Sequence, residues 1–328
     1  MEGKILITGA TGNLGGLVIE ALLEKIEANQ IAGLVRETSK AADLKAKGID
    51  IREGNYDDES SLEKAFQGIE KIYFISGSDL DKRVAQHKNI VAAAEKAGVK
   101  HVIYTSFGRK NESENSPIYP VAKGHLAAEN ALKNASLDYT ILKHNLYMEV
   151  IPLFAGENLL ENKTLFLPAK DGKTGFMARK DMAVLAAEIL TGEGHENKTY
   201  EVSAEKAFTF AEIAALISEV SETEINYVSP NPEEFAETLQ GYGVPQPAID
   251  MTVMFAKGIA QGEFDETATT YRDFTGNEPT SLKTFLAVSR LINLSLEIPP
   301  PKIKIFFFIQ LFLFQFLYLC LFLILLFL

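Results

Sequence analysis

Short β-branched segments alternate with longer segments of helical spacing through the first half of the chain. The short apolar segments predict strands at 4–8, 31–36, 48–53, 71–75, 100–105 and 138–142. Between them, apolar residues at i, i+3, i+4 and i+7 predict helices at 15–27, 39–47, 58–68, 80–97 and 119–135. Because strands that alternate with helices pair in parallel, the pattern predicts an α/β fold with a doubly wound parallel sheet. Ligands bind such sheets at the carboxyl ends of the strands.

The alternation weakens after residue 147. Short strands are predicted at 163–168, 198–202 and 224–228, and helices at 179–191, 209–220, 231–240 and 281–294. These elements predict a smaller α+β substrate lobe at 151–294, beside a first domain at 1–150. The Ala-rich helix at 179–191 is expected to pack on the first domain, so the two parts are predicted to be interleaved.

A hydrophobic tail occupies residues 295–328, and from 305 onward only two glutamines interrupt its apolar sequence. A helix of this length crosses a hydrocarbon core of about 30 Å at about 1.5 Å per residue. Lys302 and Lys304 would keep the upstream domain on the cytoplasmic side. The tail is almost wholly Phe, Leu and Ile, which is also typical of a gene-model artefact. A tail anchor and an artefact are therefore both left open.

Composition narrows the classes of partner. The chain has 32 Lys and Arg against 44 Asp and Glu, a net charge of −12, which argues against a nucleic-acid-binding surface. Small molecules or proteins are the expected partners, and a homo-oligomer is left open. The single cysteine, Cys320, excludes an intrachain disulfide and a thiolate metal site. No signal peptide precedes the first strand, so we expect a cytoplasmic protein. The spacing of the histidines predicts no metal site.

A glycine-rich turn, GATGNLG at 9–15, joins the first predicted strand to the first predicted helix. The first glycine permits a tight turn, the second lets the backbone approach a pyrophosphate, and the third lets helix and strand pack closely. Free N–H groups and the helix dipole then face the anion. The turn predicts a Rossmann-type dinucleotide-binding domain. Its residues assigned to the cofactor are Gly9, Thr11, Gly12, Asn13, Leu14 and Gly15.

The residue after the second strand selects between the two nicotinamide dinucleotides, because it faces the adenosine ribose. Arg36 stands there, and a guanidinium binds a 2′-phosphate with paired hydrogen bonds, so NADPH is favoured over NADH. Lys40 would add a second positive contact, unless Glu37 neutralises both cations. Asn55 and Asp57 are expected at the adenine rim, although Asp57 could instead cap the following helix.

Small polar residues follow the fourth and fifth strands and are expected to line one crevice. Ser76 and Gly77 follow the fourth strand, and Ser106 and Phe107 end the fifth. They would approach the nicotinamide ribose and the substrate, or they are ordinary turn and helix starters.

A YxxxK pair begins the helix after the fifth strand. Tyr119 and Lys123 share a helix face at i, i+4. The ammonium would lower the pKa of the phenol, which would then donate a proton to a carbonyl while Ser106 orients it. These three residues are the candidate catalytic group.

Segments spread over residues 1–294 resemble the NmrA-like atypical short-chain dehydrogenases, especially their NADPH:quinone oxidoreductase branch. The segments are ITGATGNLG at 7–15, GLVRETSKA at 33–41, GNYDDESSL at 54–62, ISGSD at 75–79, QHKN at 86–89, YTSF at 104–107 and YTILKHNLYME at 139–149. The resemblance implies NADPH binding through the glycine turn and Arg36. It implies a nicotinamide near Ser76, Gly77, Ser106, Lys143 and Tyr147, and a flat electron acceptor such as a quinone between the two lobes.

The sequence departs from that family at two places. Relatives commonly lack the YxxxK pair and keep a His and an acid on the same helix, here His125 and Glu129. Relatives also tend to have Arg-Asn-Gly-aromatic-Tyr where this chain has KHNLY at 143–147. We assign Phe107, His144 and Tyr147 to the substrate.

Three functions remain open at this stage. The first is a hydride transfer from NADPH to a quinone or similar conjugated acceptor, with protons from solvent or Tyr119. The second is a non-catalytic NADP(H)-binding sensor that regulates a partner. The third is a carbonyl reductase that uses Tyr119 and Lys123. Fold alone does not separate them, because function depends on the site.

Overall fold

A seven-stranded sheet forms the centre of the computed structural model, which describes residues 3–156 and 158–289. The strands are β1 (Lys4–Ile7), β2 (Ile31–Val35), β3 (Asp50–Glu53), β4 (Ile69–Phe74), β5 (His101–Phe107), β6 (Asp138–His144), β7 (Thr164–Phe166), β8 (Lys173–Thr174), β9 (Lys198–Val202), β10 (Phe208–Thr209) and β11 (Asn226–Val228). The α-helices are α1 (Asn13–Leu23), α2 (Ala42–Ala46), α3 (Glu59–Ala65), α4 (Arg83–Lys96), α5 (Tyr119–Asn134), α6 (Ile151–Ala155), α7 (Leu159–Asn162), α8 (Arg179–Thr191), α9 (Phe210–Ser221), α10 (Pro232–Gly241), α11 (Gln246–Ala260), α12 (Thr270–Thr275) and α13 (Leu282–Val288). Short 3₁₀ helices span Ala28–Gln30, Thr38–Ala41 and Met148–Val150.

The main sheet has the order β3-β2-β1-β4-β5-β6-β9, and all of its pairs are parallel. The chain moves outward from β1 through β2 to β3, then returns to β4 on the other side of β1. The strand order therefore reverses between β1 and β4, which creates the crevice where α/β sheets bind ligands. This confirms the predicted doubly wound Rossmann-type sheet.

Helices cover both faces of the sheet. On one face, α1 and α8 pack against each other and against apolar side chains of β1 and β5, with Val18, Ile19 and Leu185 fully buried. On the other face, α3, α4 and α5 cover a second cluster that includes Leu62 and Ile90. Strand β2 is buried at every position, as expected of a strand covered on both sides.

One strand lies elsewhere than the sequence indicated. The segment 198–202, expected in the smaller lobe, forms β9 and extends the main sheet beside β6, with Thr140 opposite Lys198 and His144 opposite Val202. As an edge strand, β9 keeps its first residues exposed. The polar sequence of β9 is therefore more typical of a strand in a small peripheral sheet than of a strand in the central sheet.

Another apolar cluster joins the residues after 147 to the end of β5 and the start of α5, and α6, α9, α11 and α13 contribute to it. Two short sheets support it, a parallel β7–β11 pair and an antiparallel β8–β10 pair. Helix α11 was not predicted. Ile249, Ala256 and Ile259 face the core at helical spacing, but Met251 and Phe255 are also partly buried, so apolar residues on more than one side blur the period.

The predicted helix at 281–294 corresponds to α13, and its last residues lie outside the described part of the chain. The hydrophobic tail at 295–328 also lies outside it. Among residues 3–156 and 158–289, no helix is long and apolar enough to cross a membrane.

Candidate dinucleotide-binding and active site

The glycine turn connects β1 to α1 at the switch in strand order. Gly9 has φ of +58°, a left-handed conformation that favours glycine. The amide of Gly12 donates to the carbonyl of Gly9 at 2.8 Å and closes the turn. A Cβ on Gly15 would lie 2.3 Å from that same carbonyl oxygen, so α1 reaches the turn at a distance that only glycine allows.

The amino end of α1 has the properties of an anion site. Gly12 is its N-cap residue and supplies no side-chain cap, and the first turn carries no acidic residue. The first N–H groups of a helix have no acceptor within the helix. The amides of Asn13, Leu14 and Gly15 are therefore available to an anion, and the helix dipole favours its binding. Thr11 and Asn13 are exposed beside them.

Two cations lie beyond the end of β2. Arg36 directly follows the strand, is exposed, and forms no hydrogen bond or ion pair within residues 3–156 and 158–289. It is close enough to Tyr56 to interact electrostatically with its hydroxyl. Lys40 forms an exposed ion pair with Glu37 at 2.8 Å. Of the two cations that Glu37 could neutralise, it pairs in the structure with Lys40.

The turn after β3 is organised by its own side chains. Asn55 Oδ1 accepts the amide of Asp57 at 3.1 Å, so this side chain already holds the turn. Asp57 does not cap α3. The cap is Asp58, which accepts the amides of Ser60 and Ser61. Asp57 instead accepts from Gln86 Nε2 at 3.1 Å and lies near the start of α4.

Residues 75–77, which follow β4, form a loop that we call the crevice loop. Three side chains from other elements hold its backbone. Thr8 accepts the amide of Ile75 at 2.8 Å, Tyr56 donates to the carbonyl of Ile75 at 2.9 Å, and Thr105 accepts the amide of Ser76 at 2.9 Å. Because each contact comes from a different element, the loop is fixed relative to β1, β3 and β5 together.

A buried polar cluster lies between the crevice loop and α5. It comprises Arg83 and His87 of α4, Tyr104 of β5 and His125 of α5. His125 Nδ1 is 2.8 Å from the Tyr104 hydroxyl, and Arg83 is 3.4 Å from His125 Nε2. Burial raises the pKa of Tyr104 and, together with the charge of Arg83, lowers the pKa of His125. Tyr104 and His125 are therefore both neutral near pH 7.

Ser106 belongs to a second buried group, which joins the end of β5 to α5. Its hydroxyl donates to Glu129 in a short hydrogen bond. Arg109 binds both oxygens of the same carboxylate, at 3.0 and 3.1 Å, and also donates to the carbonyl of Phe107 at 2.7 Å. The side chain of Arg109 is fully buried. The group thus fixes the carboxyl end of β5 through a bidentate ion pair.

The Tyr119–Lys123 pair starts α5 as predicted, but the structure does not bring Ser106 to it. The hydroxyl of Tyr119 lies 3.4 Å from Glu114, and Tyr119 is only partly buried. Lys123 is exposed. The hydroxyl of Ser106 is used by Glu129 instead.

The KHNLY segment ends β6 at the same edge of the sheet. Lys143 lies 3.5 Å from Glu201, whose pKa is raised mainly by burial. His144 is fully buried, and neither of its ring nitrogens has a hydrogen-bond partner within the described residues. Burial lowers its pKa to about 3. Arg179 lies over the ring of Tyr147, 4.5 Å from its centroid.

Aromatic side chains from both lobes meet at Phe107. Its ring stacks on His125 at 5.6 Å and contacts Phe264 at 5.6 Å and Phe255 of α11 at 6.2 Å. Sequence reasoning missed Phe255 because it missed α11. It also missed Arg109, for which the available signal was a basic residue two positions after a buried strand. No group of three metal-ligating side chains occurs within residues 3–156 and 158–289.

Comparison with known proteins identifies the family to which this chain belongs. A model of the NmrA-like family matches residues 1–286. The chain belongs to the NmrA-like family. Quinone oxidoreductase 2 of Escherichia coli strain K12 is 35% identical over 291 residues, which are 89% of this chain and 99% of the relative.

Two solved structures of similar proteins contain the cofactor. The NADPH-dependent quinone oxidoreductase of Escherichia coli, complexed with NADPH, has a TM-score of 0.81 at 35% identity and covers 86% of this NmrA-like chain and 98% of its own. Triphenylmethane reductase of Citrobacter sp., complexed with NADP(H), has a TM-score of 0.80 at 38% identity, with 87% and 100% covered. These matches confirm the resemblance that the sequence motifs indicated.

Proposed function

We propose that this chain is an NADPH-dependent oxidoreductase that passes hydride from NADPH to a quinone or a similarly conjugated acceptor. The observation that carries the proposal is the amino end of α1, which has no side-chain cap and no acidic residue in its first turn. It follows a turn so tight that a Cβ on Gly15 would lie 2.3 Å from the Gly9 carbonyl oxygen. A dinucleotide pyrophosphate has the charge and the size that such a turn accepts.

The residues present fit NADPH. Gly9, Gly12 and Gly15, with Thr11, Asn13 and Leu14 of the same turn, would hold the pyrophosphate. Arg36 would bind the 2′-phosphate, since its guanidinium is exposed and has no ion-pair partner within residues 3–156 and 158–289. Lys40 would leave its ion pair with Glu37 and bind the 2′-phosphate instead. Asn55 would contact the adenine. When bound, the nicotinamide supplies the hydride.

The nicotinamide half of the cofactor would lie along the carboxyl edge of the sheet. Ser76, Gly77 and Lys143 are the proposed contacts there. The acceptor would lie between this edge and the smaller lobe, against Phe107 and Tyr147, with His144 behind them.

The names of two similar proteins support a conjugated acceptor. The Escherichia coli relative is a quinone oxidoreductase, and the Citrobacter relative reduces triphenylmethane dyes. Both names describe extended conjugated molecules that accept electrons. The partly exposed ring of Phe255, which packs on the buried rings of Phe107 and Phe264, would offer apolar area to such a ring system.

The reduction of a quinone needs one hydride and one proton. The hydride bonds to the acceptor, the quinone carbonyls become hydroxyls, and the proton comes from solvent or from Tyr119. We favour solvent, because the Ser106 hydroxyl donates to Glu129 rather than to Tyr119. The Tyr119→Phe variant is then expected to keep kcat within about threefold. A general acid contributes about 10²–10⁴-fold, so a loss of that size would assign Tyr119, Lys123 and Ser106 to catalysis instead.

The test of the proposed function measures both cofactor binding and quinone-dependent turnover. Fluorescence titration measures the Kd of the purified full chain for NADPH and NADH, and absorbance follows NADPH oxidation with a panel of quinones. We expect quinone-dependent oxidation and tighter binding of NADPH. NADPH binding without turnover of any acceptor would contradict the enzyme and favour a sensor.

Arg36→Ala tests the cofactor assignment separately. The variant loses a charge-assisted pair to the 2′-phosphate, so its Kd for NADPH is expected to rise about tenfold or more while the Kd for NADH stays within about twofold. Lys45→Ala, at an exposed basic residue of α2, is the matched charge control. Equal NADPH affinity in the Arg36 variant and in wild type would refute the assignment.

We further propose a cytoplasmic location. Fractionation of the full chain tests it against the tail-anchor hypothesis for residues 295–328, and light scattering measures whether the chain forms a homo-oligomer.

A further inference from the structure

The crevice loop lies where β4 leaves its ladder, so side chains must satisfy its backbone groups. Helix α4 supplies two of them at Gly77. The amide of Gly77 donates to His87 Nε2 at 3.2 Å, and its carbonyl accepts from Arg83 Nε at 2.6 Å. The hydroxyl of Ser76 lies 3.3 Å from the same His87 nitrogen. The Gly77 amide and the Ser76 hydroxyl therefore depend on His87, and the Gly77 carbonyl depends on Arg83.

The partners of His87 fix its tautomer. Nε2 receives the Gly77 amide, which only donates, so Nε2 is an acceptor. Nδ1 lies 3.2 Å from the carbonyl of Gly124, which only accepts, so Nδ1 carries the proton. Burial and the nearby charge of Arg83 lower the pKa of His87 to about 3. The ring is therefore neutral at pH 7 and is held as the Nδ1–H form.

Arg83 also fixes the direction of the hydrogen bond between His125 and Tyr104. The guanidinium of Arg83 donates to His125 Nε2, so His125 carries its proton on Nδ1 and donates to the Tyr104 oxygen. The Tyr104 hydroxyl also lies 3.4 Å from His87 Nδ1. Arg83, His87, Tyr104 and His125 are all buried, so water does not replace the partners that they give one another.

We infer that His87 is a positioning residue, which as the Nδ1–H tautomer holds Gly77 and Ser76 in the arrangement that NADPH binding requires. The inference rests on the proposed function, because Ser76 and Gly77 are its proposed nicotinamide contacts. His87 itself is fully buried and acts through the loop.

Two substitutions separate the two ring nitrogens. In His87→Gln, the amide oxygen can take the place of Nε2 and accept from Gly77. In His87→Asn, the shorter amide replaces only Nδ1, keeps the Gly124 contact and leaves the Gly77 amide without an acceptor. His87→Gln thus loses the contact with Gly124, whereas His87→Asn loses the contacts of Nε2 with the Gly77 amide and the Ser76 hydroxyl.

Hydrogen–deuterium exchange of the cofactor-free protein and NADPH titration provide the readouts. We expect His87→Asn to accelerate exchange in the crevice loop and to raise the Kd for NADPH about fivefold, as the loss of one net hydrogen bond does. His87→Gln is expected to restore both to within about twofold of wild type. Equal behaviour of the two variants would overturn the inference.

His101→Asn is the matched control, since His101 is also buried but begins β5 at the opposite edge and bonds Thr140 at 2.8 Å. It is expected to leave loop exchange and Kd unchanged. If the variants fail to fold, ¹⁵N NMR of wild-type His87 still decides, because an Nε2–H tautomer would refute the inference. Absent quinone turnover would contradict only the proposed function, since exchange and binding are measured without turnover.

Discussion

Gly15 and Gly16 are neighbours on α1, and the structure predicts opposite effects for the same substitution. A Cβ on Gly15 would lie 2.3 Å from the oxygen and 2.9 Å from the carbon of the Gly9 carbonyl, and 3.1 Å from Ala10 Cα. A Cβ on Gly16 would meet nothing within 4 Å. All three neighbours of the Gly15 methyl are backbone atoms, so no flexible side chain can yield. Relief requires the glycine turn or α1 to move by about 1 Å, since ordinary contacts begin near 3.4 Å.

The magnitudes follow from these contacts. Overpacking of this kind costs about 1–3 kcal/mol, so Gly15→Ala is expected to lower the free energy of unfolding by that amount. The same movement displaces the pyrophosphate-binding amides, and a loss of about 1.4 kcal/mol raises the Kd for NADPH tenfold. Gly16→Ala gains helix propensity in open space and is expected to raise the free energy of unfolding by about 0.5–1 kcal/mol without changing the Kd.

Urea unfolding and NADPH fluorescence titration of both variants measure the two effects. The reasoning is refuted if Gly15→Ala binds NADPH as wild type does, or if both variants lose affinity equally. A loss of stability in Gly15→Ala without a loss of affinity would show that the turn accommodates the methyl without moving its amides.

Two further predictions concern buried polar side chains. Glu129→Leu leaves the Arg109 guanidinium without its buried carboxylate and is expected to lower the free energy of unfolding by about 3–5 kcal/mol; the double variant with Arg109→Leu should recover most of it. His144→Leu removes two unpartnered ring nitrogens and is expected to stabilise the protein by about 1 kcal/mol at pH 7. Because the pKa of His144, about 3, lies below its ordinary 6.5, the unfolded state binds more protons between these values, and wild-type stability falls as the pH drops. Urea titrations at pH 7 and pH 5 measure this effect. Between these pH values, the free energy of unfolding of His144→Leu should fall by about 2 kcal/mol less than that of wild type. Equal decreases would contradict the lowered pKa of His144.

The sheet could be predicted because its signals are local. Strands β1 and β2 are short apolar segments between helical segments. The glycine turn could be identified because the close approach of α1 to the turn requires a glycine at position 15. The place of β9 could not be predicted, since nothing local distinguishes an edge strand of the main sheet from a strand of a small one. Helix α11 was missed because partly buried side chains broaden its apolar face. Both errors concern elements whose position depends on tertiary packing.

Helix α5 carries two polar pairs on different faces, and the sequence motif drew attention to the exposed one. Tyr119 and Lys123 are spaced i, i+4, and so are His125 and Glu129, so spacing alone favours neither pair. Burial separates them, because His125 and Glu129 are buried whereas Lys123 is exposed. A polar pair on the buried face of a helix must find partners there, and Tyr104 and Ser106 of β5 provide them. The polar side chains by which α5 contacts the carboxyl end of β5 are therefore His125 and Glu129, whereas Lys123 faces solvent.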